Sequence, residues 1–372
     1  MNFLIVTHVV HTRNGADLVA YAPYVNEMNI WLKFVDKVTI IAPFKHIENN
    51  PIHQKYQHNN IQFIQVPSFS FVNAKEIFKS LFLLPFIFFK IVGAMIQAHH
   101  IHLRCPGNMG LLGSLAQIFF PRKPKTAKYA GNWDPKSKQP LSYTFQKAVL
   151  SATFLTQKMS VLVYGEWPNQ TRNIKPFFTA TYFESDKVTV GPRSLKDTIH
   201  FIFVGSLSEG KQPLYAIQLV ESLKNKGKNV QISLYGEGKQ QANLNDYIQQ
   251  NKLEDYVFLK GNFDREQMKE VYQSSHFLIL PSKSEGWPKV VAEAMFWGCL
   301  PISTPVSCVP TMLGFGERGI VLTNQLESDS ELIEEIMTHQ EEYNHKIKEA
   351  INWSRNFTID KFEAEIKKLI QQ

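Results

Sequence analysis

Residues 281–305 read PSKSEGWPKVVAEAMFWGCLPISTP, and their reading decides the fold. Apolar runs of strand character stand on either side, HFLIL at 276–280 and LPIS at 300–303. Between them the sequence predicts a turn over 282–286, Pro288 at the first helical position and a helix ending at Gly298. Strand, loop, helix and strand in so short a stretch is the layout of a parallel βαβ unit. Such units bind ligands where the carboxyl end of a strand turns into its helix. Here that turn carries Glu285 and Gly286, and the helix carries Glu293.

The spacing has a chemical meaning. At about 1.5 Å per residue, Glu285 and Glu293 stand up to ~12 Å apart along the helix axis. Ionised carboxylates accept strong hydrogen bonds from sugar hydroxyls. Between them, around Pro288, the amides of Gly286, Trp287 and Lys289 open a helix N-terminus, which suits phosphate. Hydroxyl, phosphate, hydroxyl describes a nucleotide sugar. The plainer alternative is that Glu285 favours the helix dipole and Glu293 pairs with Lys289 one turn back.

EGWPKVVAEAMFWGCLPIST resembles the signature of family 4 of the retaining GT-B glycosyltransferases. That signature has Glu, Gly, an aromatic, a small residue or Pro, and a second Glu eight positions after the first. Ala, a small or apolar pair, Gly and a Pro-led strand follow. The resemblance is strong over 200–372 and loose over 1–199. It implies an α/β protein of GT-B architecture, with two Rossmann-like parallel α/β domains facing a central cleft.

Composition sets the bounds. A chain of 372 residues exceeds one core, so two domains are expected. Three cysteines without metal spacing point to a reducing compartment. MNFLIVTHVV has no basic lead and reads as a first strand rather than a signal peptide. The net charge of +7 is uneven: residues 1–200 hold 22 Lys and Arg against 10 Asp and Glu, and residues 201–372 hold 18 against 23. A basic first half suits an anionic partner, nucleic acid or an acidic membrane face, or is a solvated surface.

In the first half, FLIVTHV (3–9) is a strand, followed by a loop with His8, His11, Asn14 and Gly15 and a helix to about Leu32. The two histidines read as loop polar groups rather than metal ligands. In the resembled family this loop carries adjacent glycines near the donor diphosphate, and Asn14-Gly15 is what remains of them here. KVTIIAP (37–43) and NNIQFIQVP (59–67) are strands. The apolar run 76–98 is interrupted by Lys79, Pro85 and Lys90 and is too short to span a bilayer. It reads as one or two core-facing helices, or as a segment lying in a membrane interface. Strand and helix follow over 100–119, then a basic segment, PRKPKTAKYAGNWDPKSK (121–138). By resemblance, Arg104, Asn132 and Trp133 join Asn14 and Gly15 in the acceptor cleft. Where many relatives have a His, this chain has 129–134 YAGNWD. Residues 168–198, with Pro168, Pro176 and Pro192, read as the inter-domain connection.

The second half repeats strand, glycine turn and helix. The family pattern Gly-Arg-Leu with a later Lys becomes Gly205, Ser206, Leu207 and Lys211, so Ser206 removes one bidentate phosphate donor. The turn at Gly236 and the strand end at Asn262 match the family's nucleotide site. The expected domains are 1–190 for the acceptor, 199–350 for the nucleotide sugar, and 351–372 as a C-terminal helix returning towards the first.

The resemblance therefore implies a metal-independent retaining hexosyltransferase with no cofactor, the nucleotide sugar being a co-substrate. Its donor would be a UDP-sugar and its acceptor a carbohydrate or lipid-linked molecule, as in bacterial-type surface polysaccharide or glycolipid synthesis. Glu285 would orient the sugar, Lys211 the diphosphate and Glu293 the ribose; Gly205, Ser206, Gly236, Asn262, Gly286, Trp287, Pro288 and Lys289 would complete the donor site. Nucleic acid has no part in this reading, and the expected setting is cytoplasmic, peripheral at the inner face of the plasma membrane. The alternatives are a sugar-nucleotide epimerase on the same fold, or a basic peripheral membrane-binding protein without catalysis.

Overall fold

Apolar runs without alternation, such as FLIV (3–6) and VTIIA (38–42), form the inner strands of a parallel sheet, which is covered on both faces and needs no polar side. The computed structural model describes residues 1–46, 53–68, 74–191 and 193–371, with no side chains described over 74–81. Pro192 and the side chains of the 76–81 part of the apolar run thus lie outside what is described. The chain divides into Met1–Phe178 with Phe362–Gln372, and Thr179–Lys361.

In the first unit, β1 (Asn2–Val6) leads into two short strands, β2 (His11–Asn14) and β3 (Asp17–Tyr21), then α1 (Ala22–Leu32), β4 (Lys37–Pro43), β5 (His53–Lys55) and β6 (Ile61–Val66). After them come α2 (Ala74–Gln97), β7 (His100–Cys105), α3 (Asn108–Ala116), β8 (Lys125–Tyr129), α4 (Leu141–Ser151), β9 (Met159–Tyr164) and β10 (Ile174–Phe177). Seven strands form one parallel sheet in the order β10-β9-β8-β7-β1-β4-β6. Buried Lys128 is accommodated by donating to the Phe178 carbonyl at 3.0 Å, beneath the rings of Tyr164 and Phe177 at 4.6 and 4.4 Å.

Two local expectations are corrected, and the choice between one helix and two over the apolar run is narrowed to one. The chain after β1 does not run from a loop into a helix. β2 and β3 pair antiparallel, Asn14 opposite Asp17, with Gly15 (φ +59°) and Ala16 as the two-residue turn. α2 continues through Pro85 as one helix. Proline inside a helix costs about 3 kcal/mol, and the burial of Ile87, Ile91 and Met95 in the core offsets it. The proposed connection 168–198 contains a sheet strand, β10.

The second unit contains β11 (Ile199–Val204), α5 (Pro213–Asn225), β12 (Val230–Tyr235), α6 (Gln241–Gln250), β13 (Val257–Gly261), α7 (Arg265–Ser274) and β14 (Phe277–Leu280). It continues with α8 (Lys289–Phe296), β15 (Leu300–Ser303), α9 (Val309–Met312), β16 (Ile320–Val321), α10 (Leu326–Thr338) and α11 (Gln340–Ser354). The last helix is α12 (Ile359–Gln371). Helices α10 and α11 meet at His339. The sheet order is β13-β12-β11-β14-β15-β16, all parallel. In order of appearance that is 3-2-1-4-5-6, the doubly wound Rossmann arrangement.

Arg193 holds the carbonyl ends of two helices. Its guanidinium donates to Tyr272 and Gln273 at the end of α7 (3.2 and 2.9 Å) and to Trp297 (2.8 Å) and Gly298 beyond α8. A cation at this end also meets the negative pole of each helix dipole.

Candidate active site

In a 3-2-1-4-5-6 sheet the chain reverses direction of winding between the first and fourth strands, and a crevice opens at their carboxyl ends. Here those strands are β11 and β14. The loop after β11 carries Gly205, Ser206 and Lys211, and the loop after β14 carries Glu285. The two loops touch: the Lys283 amide donates to the Gly210 carbonyl at 2.8 Å, and Lys283 pairs with Glu209 at 2.9 Å. Lys211 and Glu285 form an ion pair, with the Glu285 side chain 8% exposed. Residues 74 positions apart are thus joined.

The loops after β11 and β12 are stitched at backbone level. The Leu207 amide donates to the Glu237 carbonyl at 3.0 Å, and Gln240 donates to Leu207 at 2.9 Å. Gly236 (φ +140°) lies so close to the β11 loop that a Cβ there would overlap the Gly205 carbonyl. Glycine is needed here for both conformation and space. Ser206 is exposed and shares a hydroxyl–hydroxyl hydrogen bond with Ser208 at 3.1 Å. Asn262 is exposed beside Phe263, whose ring meets that of Tyr235 edge-on at 4.8 Å.

The segment before α8 is fixed from the other side. The Gly286 carbonyl accepts from Ser307 Oγ at 3.0 Å and Cys308 Sγ at 3.2 Å. Trp287 packs against Trp353 and Phe357, with ring centres 6.1 and 5.4 Å away. Pro288 caps the helix instead of beginning it, so Lys289 is the first helical residue, and no side chain caps this end.

Glu293 does not pair with Lys289. Its carboxylate accepts from Thr181 Oγ1 at 2.6 Å and from the Tyr272 hydroxyl at 3.0 Å. Burial first, and the Glu293 charge second, push the Tyr272 phenol well above its ordinary range, so it stays a donor. Each carboxylate oxygen has a second lone pair left for a ligand. Thr181 and Tyr272 carry no motif that sequence reading could have used.

The residues expected at the acceptor all lie in the first unit. Asn14 and Gly15 are exposed at the hairpin turn. Arg104 is largely buried, 3.4 Å from Glu27 and over the ring of Tyr24. Asn132 accepts the Asp134 amide at 2.8 Å and shapes its own loop. Trp133 is a core side chain, edge-on to Tyr129 at 4.8 Å and donating to Gln170 at 2.9 Å. Among the described residues no group of three His, Cys, Asp or Glu side chains is placed to hold a metal ion.

Residues 190–353 match the family described as glycosyl transferases group 1. The amylovoran biosynthesis glycosyltransferase AmsK of Erwinia amylovora is 29% identical over 135 residues, 34% of this chain and 33% of that protein. The chain spans about a third of the length of the curated relatives it matches. Two solved structures superpose on the whole chain with a TM-score of 0.69. Sucrose-phosphate synthase from Thermosynechococcus elongatus is 15% identical, with 98% of it covered. HepE from Anabaena, in complex with UDP, is 14% identical, with 99% covered. The fold is GT-B, two Rossmann-like α/β units.

Proposed function

From the premise that residues 190–353 are a group 1 glycosyltransferase domain, we propose that this chain moves a sugar from a nucleotide-sugar donor to a carbohydrate or lipid-linked acceptor. The observation that carries the reading is the Lys211–Glu285 pair at the β11/β14 switch point. A cation and a carboxylate at that crevice suit a diphosphate and a hydroxylated sugar. Under this reading the second unit holds the donor, and the first selects the acceptor through Asn14, Gly15, Arg104 and Asn132. The donor is a UDP-sugar, in keeping with the UDP bound to HepE. The product belongs to surface polysaccharide or glycolipid synthesis, in keeping with the role named for AmsK.

Transfer proceeds with retention at the anomeric carbon and without a metal. Lys211 leaves Glu285 for the diphosphate and stabilises the charge that grows on it as the glycosidic bond breaks. Glu285 is then released to orient the sugar, and Glu293 accepts from the ribose. Incubation with a panel of nucleotide sugars, following donor hydrolysis and the product's anomeric configuration, tests the reading. An epimerase would return an altered nucleotide sugar, and a non-catalytic binder would leave every donor intact.

Lys211→Ala should lower turnover by ~10-fold or more while changing the donor KM less, because its contact strengthens in the transition state. Turnover within twofold of wild type would remove Lys211 from the mechanism.

The proposed setting is cytoplasmic, at an anionic membrane face. No helix among the described residues is long and apolar enough to cross a membrane. α2 instead leaves Phe82, Phe86, Phe89 and Ile96 between 51% and 71% exposed, at helical spacing along one side. Residues 74–178 around it hold 14 Lys and Arg against 3 Asp and Glu. An apolar stripe in a basic surround fits an interfacial helix. Binding to anionic vesicles should weaken with salt, since exposed charges are screened beyond roughly 8–10 Å, and should be lost in Phe86→Ser/Phe89→Ser. Equal partition onto neutral and anionic vesicles would rule out the electrostatic part.

A further inference from the structure

In a parallel sheet the amino ends of all strands share one rim, opposite the rim where the carboxyl ends meet ligands. In the first unit that amino rim is hollow. A cavity of about 620 Å³ lies where β7, β8, β9 and β10 begin. It is lined by His100, Lys125, Lys158, Ser160, Arg172 and Lys175 among others, and by no Asp or Glu. Strands of five or six residues at about 3.3 Å each put this rim ~15–20 Å from the loops after β7 and β8.

The charge there is unbalanced. Lys125 is 2% exposed, and its ammonium donates to the Phe120 carbonyl at 2.7 Å. That is one acceptor for three N–H groups. Burial, and next the charge of Lys158, pull its pKa down to about 8. Among the described residues, Lys158, Arg172 and Lys175 have no ion-pair partner. His100, 1% exposed, binds Thr126 through Nε2 at 3.0 Å and has a buried Nδ1 with no partner. A buried ammonium short of acceptors and an orphaned imidazole nitrogen are both costly unless a further group completes them.

We propose that this cavity is an anion site that takes a phosphate group. Arg172 offers a planar fork for two phosphate oxygens, Lys125, Lys158 and Lys175 offer point charges, and Ser160 a hydroxyl donor. A concave wall of one sign concentrates the field and favours a doubly charged ion over chloride. The phosphate comes either on a small soluble molecule or on a lipid headgroup. The site goes beyond the transfer reading and uses none of its residues.

The test follows the His100 imidazole resonances of the full chain, assigned with His100→Gln. Inorganic phosphate and pyrophosphate are titrated at constant ionic strength against chloride in one arm. Vesicles of phosphatidic acid are compared with phosphatidylcholine vesicles in the other. A saturable shift in either arm, weakened at least 10-fold in Arg172→Glu/Lys175→Glu and unchanged in Glu285→Ala, supports the site. A response to free phosphate alone assigns a soluble ligand; a response to phosphatidic acid alone assigns a headgroup. No saturable shift in either arm, or equal shifts in the charge-reversed variant, overturns the proposal. Because nothing is read from sugar transfer, an inactive enzyme that still binds phosphate here separates this site from the proposed activity.

Discussion

Glu285→Ala is expected to fold and to bind a bare nucleotide diphosphate, yet to transfer sugar at least ~100-fold more slowly, a barrier increase of about 2.7 kcal/mol. The residue sits in a loop before α8, so no helix depends on it. Its side-chain partner is Lys211, which is partly exposed and can be solvated once the carboxylate is gone. The stability change should therefore stay near that of a surface pair, about 0–1 kcal/mol. What is lost is the orientation of the donor sugar, and with it much of the advantage of holding reactants in line. Glu293→Gln provides the contrast. It should weaken nucleotide diphosphate binding by about 1.5–3 kcal/mol, the worth of a hydrogen bond to a charged acceptor. Paired titrations and transfer assays read both. Near-normal transfer by Glu285→Ala, or a loss of diphosphate binding as severe as in Glu293→Gln, would end the sugar-orienting assignment.

Gly236→Ala should be among the most damaging single-methyl additions in the second unit. The new Cβ would overlap the Gly205 carbonyl oxygen and stand 2.8 Å from its carbon, at a backbone φ of +140°. Strain at such a conformation costs on the order of 1–3 kcal/mol, and forced repacking about 1–3 more. The melting midpoint should fall by on the order of 10 °C for a unit of this size. Gly210→Ala is the control, because nothing lies within 4 Å of its added carbon. It should remain within about 0.5 kcal/mol of wild type. A Gly236→Ala midpoint as close to wild type as the control's would mean that the β11 and β12 loops yield, and that the backbone between them is not rigid.

Much of the fold is legible in the residues themselves. KVTIIAP became β4 over its full length, and the strand and helix expected over 100–119 are β7 and α3. Hydrophobic periodicity and glycine turns are local signals, and these elements depend on little else. Asn14-Gly15 shows the opposite case. It is a strong hairpin signal, yet the strands beside it are only four and five residues long, with little alternation to reveal them. Pro85 left one helix or two open, because propensity alone favours a break there, whereas the core contacts of α2 decide for one. At the site, Glu285 and Lys211 were identified separately. Their meeting depends on β11 and β14 being neighbours, a matter of sheet order that no local pattern carries. Trp133, expected by resemblance in the acceptor cleft, is a core residue whose indole finds Gln170, 37 positions away, a partner no local pattern shows.

The Arg193 clamp has a mechanical consequence. One guanidinium joins the ends of α7 and α8, so the two helices turn as a single lever rather than two. Tyr272 belongs to both ends of that lever: its carbonyl is gripped by Arg193, and its hydroxyl holds Glu293. The aim of Glu293 is therefore set by α7 through Tyr272 and by Thr181, not by the loop that precedes its own helix. A change in the backbone of residues 281–288 therefore need not turn the carboxylate on α8, whose partners Thr181 and Tyr272 lie outside that segment.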